Sequence, residues 1–480
     1  MLFKWTVALS WLLIPAVAGC QSALCIRPAT TSSWQEDVSN WPADHQSQAT
    51  IENDVVAVRF RKPEPLPIPF VDGAIPAVDE AISSVDGGSE RGSLALADLE
   101  EIAFQNNPVL AAAAARMEVA RGRQVQAGLY PNPVAGYHAT QIGNLGTAGA
   151  QGGFISQRFI TGGKLRLDQA IAGKEVDAAH FLFHAQEQRV LSDVRMRFYD
   201  ALAAQRRVEL TKEMVVIGDN LVKATKTLLD GRLGTENDLL HAEIRADDAR
   251  ILHDNARNVN VEVWRRLTAV IGLRTMQTRQ LSGELDSDLP SFDWDSCYAM
   301  VLGSNPALNA ARTRVDRASL VIRRAQKEPI PNVDLWVSVR HHNVTQNDVA
   351  NVQVGIPIPI FNRNDGNICS AEAEWIAEKR EVKRMELDLQ DRLAVVYRQF
   401  ANSRQQVDRY SERMVPRAKR SLQLVTDGYE KGQTKYLTLL TAQQTYVQVS
   451  LSYLNSLQDL RAASVVMEGQ LFSGSLTGAR

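Results

Sequence analysis

The sequence predicts a mainly α-helical fold with a small β part, in which one unit (helix, two strands, very long helix, tight turn, long helix) occurs twice. Three observations predict it. The 18 prolines are unevenly spread: none lies between Pro133 and Pro290, and only Pro416 interrupts the chain after Pro359. Proline-free stretches rich in Ala, Leu, Arg, Gln and Glu favour long helices. Next, an internal repeat of roughly 200 residues, too long for a solenoid unit, reads as duplication of a whole half. Finally, apolar residues in those stretches recur at alternating threes and fours, the spacing of helices that pack as coiled coils.

In chain order, residues 1–19 read as a secretory signal: Lys4 supplies an early positive charge, Trp5 to Val17 an apolar core, and Val17-Ala18-Gly19 small residues before Cys20. Val17-Ala18-Gly19-Cys20 also has the form of a bacterial lipobox, which makes Cys20 the expected acylated N-terminus; cleavage after Ala18 or Gly19 is the alternative. Residues 20–94 form the lipid anchor and an extended spacer, in which Pro63, Pro65, Pro67 and Pro69 alternate with other residues. Cys25, Cys297 and Cys369 stand far apart without CxxC or Cys/His spacing, so the spacing indicates neither a zinc site nor a disulfide scaffold.

The two copies occupy residues 95–290 and 291–473, with 474–480 as a tail. Asn107-Pro108-Val109-Leu110 returns as Asn305-Pro306-Ala307-Leu308, and Tyr130-Pro131-Asn132 as Ile330-Pro331-Asn332. Ile155 to Phe159 pairs with Ile356 to Ile360, and the glycine turn at Gly234 with the one at Gly432. Asn-Pro opens a helix, since Asn caps and proline tolerates the first turn; the later Pro-Asn ends it and opens the strands. Val333, Leu335, Val337 and Val339 point one way and Asp334, Ser338 and Arg340 the other, and Val352, Val354, Ile356 and Ile358 form a second apolar row. A half-buried sheet or a membrane barrel explains such rows, and two hairpins per chain close a barrel only in an oligomer. Leu210, Met214, Ile217, Leu221, Ala224 and Leu228 carry the first heptad run; Leu393, Val396, Phe400, Ser403, Val407, Tyr410 and Met414 carry the second, which Pro416 is expected to kink. The stretch from 163 to 229 reaches roughly 100 Å as one helix at 1.5 Å per residue.

The formal charge of −2 leaves no basic excess for a general nucleic-acid binder. No interior run is long and apolar enough for a membrane-spanning helix, so entry into a membrane requires a closed β-barrel. No Ser/His/Asp set, phosphate-cradling loop or acid–base carboxylate pair is found, so neither catalysis nor a cofactor is expected. The eight histidines form no evident metal site: His341 and His342 sit in an outer loop without a third ligand nearby, and His138 and His241 are unsupported.

Four motifs in order carry a resemblance to the TolC family of outer-membrane efflux channels over most of residues 95–473: Ala127 to Pro133, Gly234 to Ala242, Ile356 to Arg363 and Gly432 to Gln443. Gly128 to Pro133 and Thr161-Gly162-Gly163-Lys164 look most similar to the outer-membrane component of cobalt–zinc–cadmium efflux systems. The resemblance implies a trimeric α/β-barrel channel in which four strands per chain make a twelve-stranded barrel, continued by a helical tunnel through the periplasm. It implies a periplasmic adaptor and an inner-membrane pump of the resistance–nodulation–division class as partners, beside outer-membrane lipid. Gly234 and Gly432 would then be the periplasmic tip turns, their glycines supplying positive φ. Family members narrow the pore with carboxylates after the second tip; the matching positions here are Thr438 and Thr441, and in the first copy Asp238. Asp238 also reads as a helix-start charge favoured by the macrodipole. The competing readings are an exported coiled-coil structural or adaptor lipoprotein without a pore, and the outer channel of a protein-secretion system.

Overall fold

A computed structural model describes residues 93–477, apart from Thr147, Leu233 and Gly432; Cys20 and the proline-rich segment lie outside these residues. The first half comprises β1 (Ser93–Leu94), α1 (Leu96–Asn106), α2 (Pro108–Ala127), β2 (Val134–Thr140), β3 (Ala150–Phe159), α3 (Lys164–Asp230) and α4 (Glu236–Val270). The second comprises β4 (Gln280–Leu281), α5 (Trp294–Ser304), α6 (Pro306–Lys327), β5 (Val333–His342), β6 (Asn347–Gly355), α7 (Asp365–Arg409), α8 (Val415–Glu430) and α9 (Tyr436–Glu468).

Each half therefore opens with two helices where the sequence predicts one. Asn107 and Asn305 break them: each side chain accepts a backbone N–H of the following helix, from Val109 and Leu308, with proline in the first turn. Both asparagines are buried, and each spends its amide on the far end of its own half. Asn107 Nδ2 donates to the Val270 carbonyl at 2.8 Å and Asn305 Nδ2 to the Gln470 carbonyl at 3.2 Å. One residue type thus caps a helix and satisfies a carbonyl where the last helix ends, twice over.

The long helices start from matching elbows. Gly163 (φ 71°, ψ 18°) and Asn364 (φ 68°, ψ 17°) both take the left-handed conformation just before α3 and α7, which Gly adopts freely and Asn tolerates. Asn332 joins the halves at this level by accepting from the Thr161 amide and the buried Lys164 ammonium, at 3.3 and 3.2 Å. Helix α3 has 67 residues, a length of roughly 100 Å.

A π turn, Tyr410–Met414, is inserted between α7 and α8, and Pro416, which lacks a donor, stands in the first turn of α8. The extra residue explains why Met414 is exposed, against the heptad expectation, while Ala418 and Leu422 are buried. Val407 and Leu422 are 15 positions apart, against about 14.4 for four regular turns; the wider turn takes up that excess, and both are buried.

Two cores result. The larger joins α1, the middle of α3, the end of α4, α5, the start of α6, α7 and the end of α9 around Leu99, Val194, Leu267, Leu308, Leu393 and Leu460. Arg461, also buried there, donates to the carbonyls of Leu285, Ser287 and Asp288 and lies over the Tyr199 ring, so it fastens the segment between the halves. The smaller core lies near the helical turns, around Leu221, Ala242, Leu422, Tyr429 and Leu439. Strands β1 and β4 pair in parallel, tying the start of the first half to the start of that linking segment.

Candidate functional site

Two regions are built for something other than packing: the sheet at one end of the long helices and the turns at the other. The sheet has order β2-β3-β5-β6, antiparallel throughout, with the halves joined at β3–β5 from Ala150↔His342 to Phe159↔Val333. Directly paired residues share a face. The rows Ala135–Ile155–Val337–Val352 and Gln157–Leu335–Val354 therefore fall on one side with Tyr137 and Val339. Tyr137, Ile155, Val339, Val352 and Val354 are all more than half exposed. The opposite face carries Arg158, Asp334, Ser338, Arg340, Asn351 and Gln353, with Arg158 Nε 2.7 Å from Asp334 Oδ1 across β3–β5.

The predicted alternation of β5 is present, with one addition. Trp336 stands on the polar face, stacked on Phe154 at 5.8 Å and edge-on to His138 at 5.4 Å. The second apolar row ends sooner than its sequence suggests, since β6 stops at Gly355. Ile356, Ile358, Ile360 and Phe361 continue as an exposed apolar segment, with Phe361 99% accessible. Among the described residues, strands β2 and β6 each have one edge without a partner strand. A strongly apolar face out in solvent and two open edges are both liabilities for an isolated soluble sheet.

At the other end, α3 turns into α4 through Gly231 to Thr235. The positive φ expected at Gly234 belongs to Arg232 (φ 59°) instead. Gly234 donates its N–H to the Leu228 carbonyl at 3.1 Å, closing a seven-residue loop over the end of α3. It is small because a Cβ there would come 3.3 Å from the Leu229 nitrogen. The same bond in the second half runs from the Thr434 N–H to the Gly428 carbonyl at 3.2 Å. Gly234 thus matches Thr434, not Gly432, and the small residue has moved to the other end of the bond. The unequal glycine-to-Ala242 and glycine-to-Ala442 intervals in the sequence come from pairing the wrong residues. Gly432 itself lies outside the described residues.

Asp238 closes a capping box: Thr235 Oγ1 accepts from the Asp238 amide, and Asp238 Oδ2 accepts from the Thr235 amide, both at 3.2 Å. Its helix-start role is therefore visible. In the second half the box is absent, because Lys435 occupies the cap position without a side-chain bond and Thr438 the position of Asp238. Thr438 and Thr441 are exposed, and Thr441 Oγ1 donates back to the Leu437 carbonyl at 2.9 Å. What ties the two turns together went unread in the sequence: Tyr429 bonds buried Thr225 at 3.2 Å and meets Tyr436 edge-on at 6.1 Å. Burial pushes the Tyr436 hydroxyl above the usual phenol range. Single aromatics on heptad helices look like ordinary core residues, so only their three-dimensional meeting reveals the link. An open groove of about 630 Å³ beside this cluster is lined by Met214, Ile217, Arg245, Leu252, Leu422 and Tyr446.

Among the described residues no cluster of three or more His, Cys, Asp or Glu side chains is arranged around a metal position. No described helix is long and apolar enough to cross a membrane. His341 Nδ1 lies 2.9 Å from Asp348 Oδ1 across β5–β6, and His342 Nδ1 accepts from the Thr345 amide, so both serve the hairpin.

Three comparisons bear on this geometry. The model of the outer membrane efflux protein family matches residues 99–273 and 297–468. The cobalt-zinc-cadmium resistance protein CzcC of Cupriavidus metallidurans is 25% identical over 384 residues, 78% of this chain and 89% of that protein. Among solved structures, the outer-membrane channel OprN is similar with a TM-score of 0.66 at 18% identity, over 79% of this chain and 90% of that one. CusC is similar with a TM-score of 0.65 at 17% identity, over 81% and 96%. The outer membrane protein VceC from Vibrio cholerae follows with a TM-score of 0.64 at 19% identity, over 79% and 96%.

Proposed function

The chain belongs to the outer membrane efflux protein family, and from that premise we propose that three copies close their sheets into one barrel and act as the exit duct of a metal-efflux machine. The observation that carries this reading is the four-stranded antiparallel sheet with, among the described residues, both edges open and one apolar face. An even number of antiparallel strands lets β6 of one copy meet β2 of the next in antiparallel register, so identical copies close a ring without any free edge. The apolar face then meets lipid and the face bearing Arg158, Asp334 and Arg340 lines water. Hydrogen bonds satisfied around the closed ring are what allow such a sheet to lie in a bilayer at all.

In this reading α3, α4, α7, α8 and α9 extend the barrel as a periplasmic tunnel, and the turns at Gly234 and Thr434 form its tip. Asp238, Thr438 and Thr441 stand where the pore narrows, and a periplasmic adaptor bound to a resistance–nodulation–division pump meets the tip. The likeness to the cobalt-zinc-cadmium resistance protein supports divalent metal cations as the cargo. Cys20 is acylated and holds the mature N-terminus at the membrane, with residues 20–94 as the anchor and spacer and the duplicated halves at 95–290 and 291–473.

The test is single-channel conductance of the purified mature protein in planar bilayers, with its oligomer mass measured in detergent. Stable conducting trimers are expected. A folded monomer or dimer that never conducts, with a control channel inserting normally, would refute the duct. Intact-mass analysis checks the anchor: a mature protein beginning elsewhere than Cys20, or lacking acyl mass, removes it.

A further inference from the structure

Outside both regions, on the flank of α3 between the sheet and the larger core, two histidines stand one helical turn apart. His180 and His184 bring their imidazole centroids to 4.5 Å at an interplanar angle of 88°. Both residues are exposed, the His184 side chain by 46%. His184 Nδ1 lies 2.6 Å from Glu187 Oε2, one further turn along the same helix. They stand about 24 and about 30 Å along α3 from its first residue, at 1.5 Å per residue. Read in sequence, His180 and His184 are spaced i and i+4 within one stretch of a long helix.

From this geometry we propose that His180 and His184 chelate a divalent transition-metal cation, with Glu187 orienting the second ligand. A histidine pair at i and i+4 on one helix face is the arrangement by which helices present two imidazoles to zinc. Two nitrogens bound to zinc at 2.0–2.1 Å in tetrahedral geometry are about 3.3 Å apart. Rings whose centroids are 4.5 Å apart reach that separation by small side-chain rotations. The carboxylate at Nδ1 fixes the tautomer of His184 with its proton on that side and turns Nε2, the basic nitrogen, outward. Imidazole nitrogen suits Zn²⁺, Cu²⁺, Ni²⁺ and Co²⁺ and disfavours Ca²⁺ and Mg²⁺, which prefer oxygen ligands. With only two protein ligands the remaining positions belong to water, so binding is weak and exchange fast. Those properties fit a site that samples a passing cation rather than one that retains a structural ion. The site does not depend on the protein being a pore, and its test does not use conductance.

The test is equilibrium dialysis of Zn²⁺ and Cu²⁺ against the tag-free full-length protein in detergent, beside H180A, H184A and E187Q. Circular dichroism spectra superimposable on the wild type keep the comparison valid, and exposed helix positions tolerate these changes. One ion per protomer is expected, bound more tightly for Cu²⁺ than Zn²⁺. Either histidine variant should weaken it at least tenfold, and E187Q about tenfold, the lower end of what loss of an orienting carboxylate costs. Unchanged affinity and stoichiometry in H180A and H184A would overturn the chelate, as would wild-type protein binding no more metal than the double variant. E187Q indistinguishable from wild type would remove the orienting role of Glu187.

Discussion

At the scale of single residues, the two turns show how the same backbone is reached by different side chains. In the first, Thr235 and Asp238 satisfy each other's backbone donors; in the second, Lys435 and Thr438 leave the start of α9 without that help. Thr235→Ala should destabilise the start of α4 by about 1 kcal/mol, seen as several-fold faster amide exchange over residues 236–239. The converse change, Lys435→Thr with Thr438→Asp, should slow exchange over 436–439 by a similar factor. If the double change leaves exchange untouched, the missing box is not what distinguishes the turns. The asparagines are the residues on which each half hinges. Asn107→Ala removes both a cap and the donor that satisfies the Val270 carbonyl. It should cost about 2–3 kcal/mol in chemical denaturation, with Asn107→Ser recovering the cap share.

At the scale of elements, the π turn before Pro416 sets the phase between α7 and α8. Val407 before it and Ala418, Leu422 and Tyr429 after it are all buried. Deleting Ser411 together with Pro416→Ala should return the segment to a plain helix with these residues still buried, so folding and oligomer mass survive. Inserting one alanine after Ser411 instead should rotate α8 by about 100° relative to α7 and expose Leu422 and Tyr429. Equal thermal stability of the two variants would show that the turn does not govern phase. Surface ion pairs such as Arg245–Asp248 and Arg250–Asp247 run along single helices and contribute little by comparison.

For the whole molecule, the sheet is the joint at which both halves and neighbouring copies meet. Its two faces make opposite demands on the same substitution. Val352→Lys or Val354→Lys puts a charge on the apolar face, at a cost of roughly 2–4 kcal/mol near the bilayer midplane. Both should reduce trimers recovered from outer-membrane fractions. Gln353→Lys, on the polar face between them, should assemble normally. Lysine tolerated equally at all three positions would mean that the apolar face does not meet lipid. Gly152 gives a second check, since a Cβ there would fall on the Val339 carbonyl oxygen across β3–β5. Gly152→Val should separate the halves at the sheet and abolish assembly.

The sequence by itself determined the mainly helical character, the doubling, the long α3, the strand pairs and the family, because each rests on local periodicity, on proline and capping chemistry, or on motifs in order. Asn107-Pro108 and Asn305-Pro306 were readable as helix starts for that reason, and so were the apolar rows of β5. The tertiary structure decided what depends on which distant residues meet. It paired β3 with β5, matched Gly234 with Thr434, and carried the buried asparagine amides to the ends of α4 and α9. It also inserted a π turn that a heptad count reads straight through at Met414, and brought Tyr429 to Thr225. A side chain's periodicity states which face it occupies; what lies opposite that face is set only when the chain has folded back on itself.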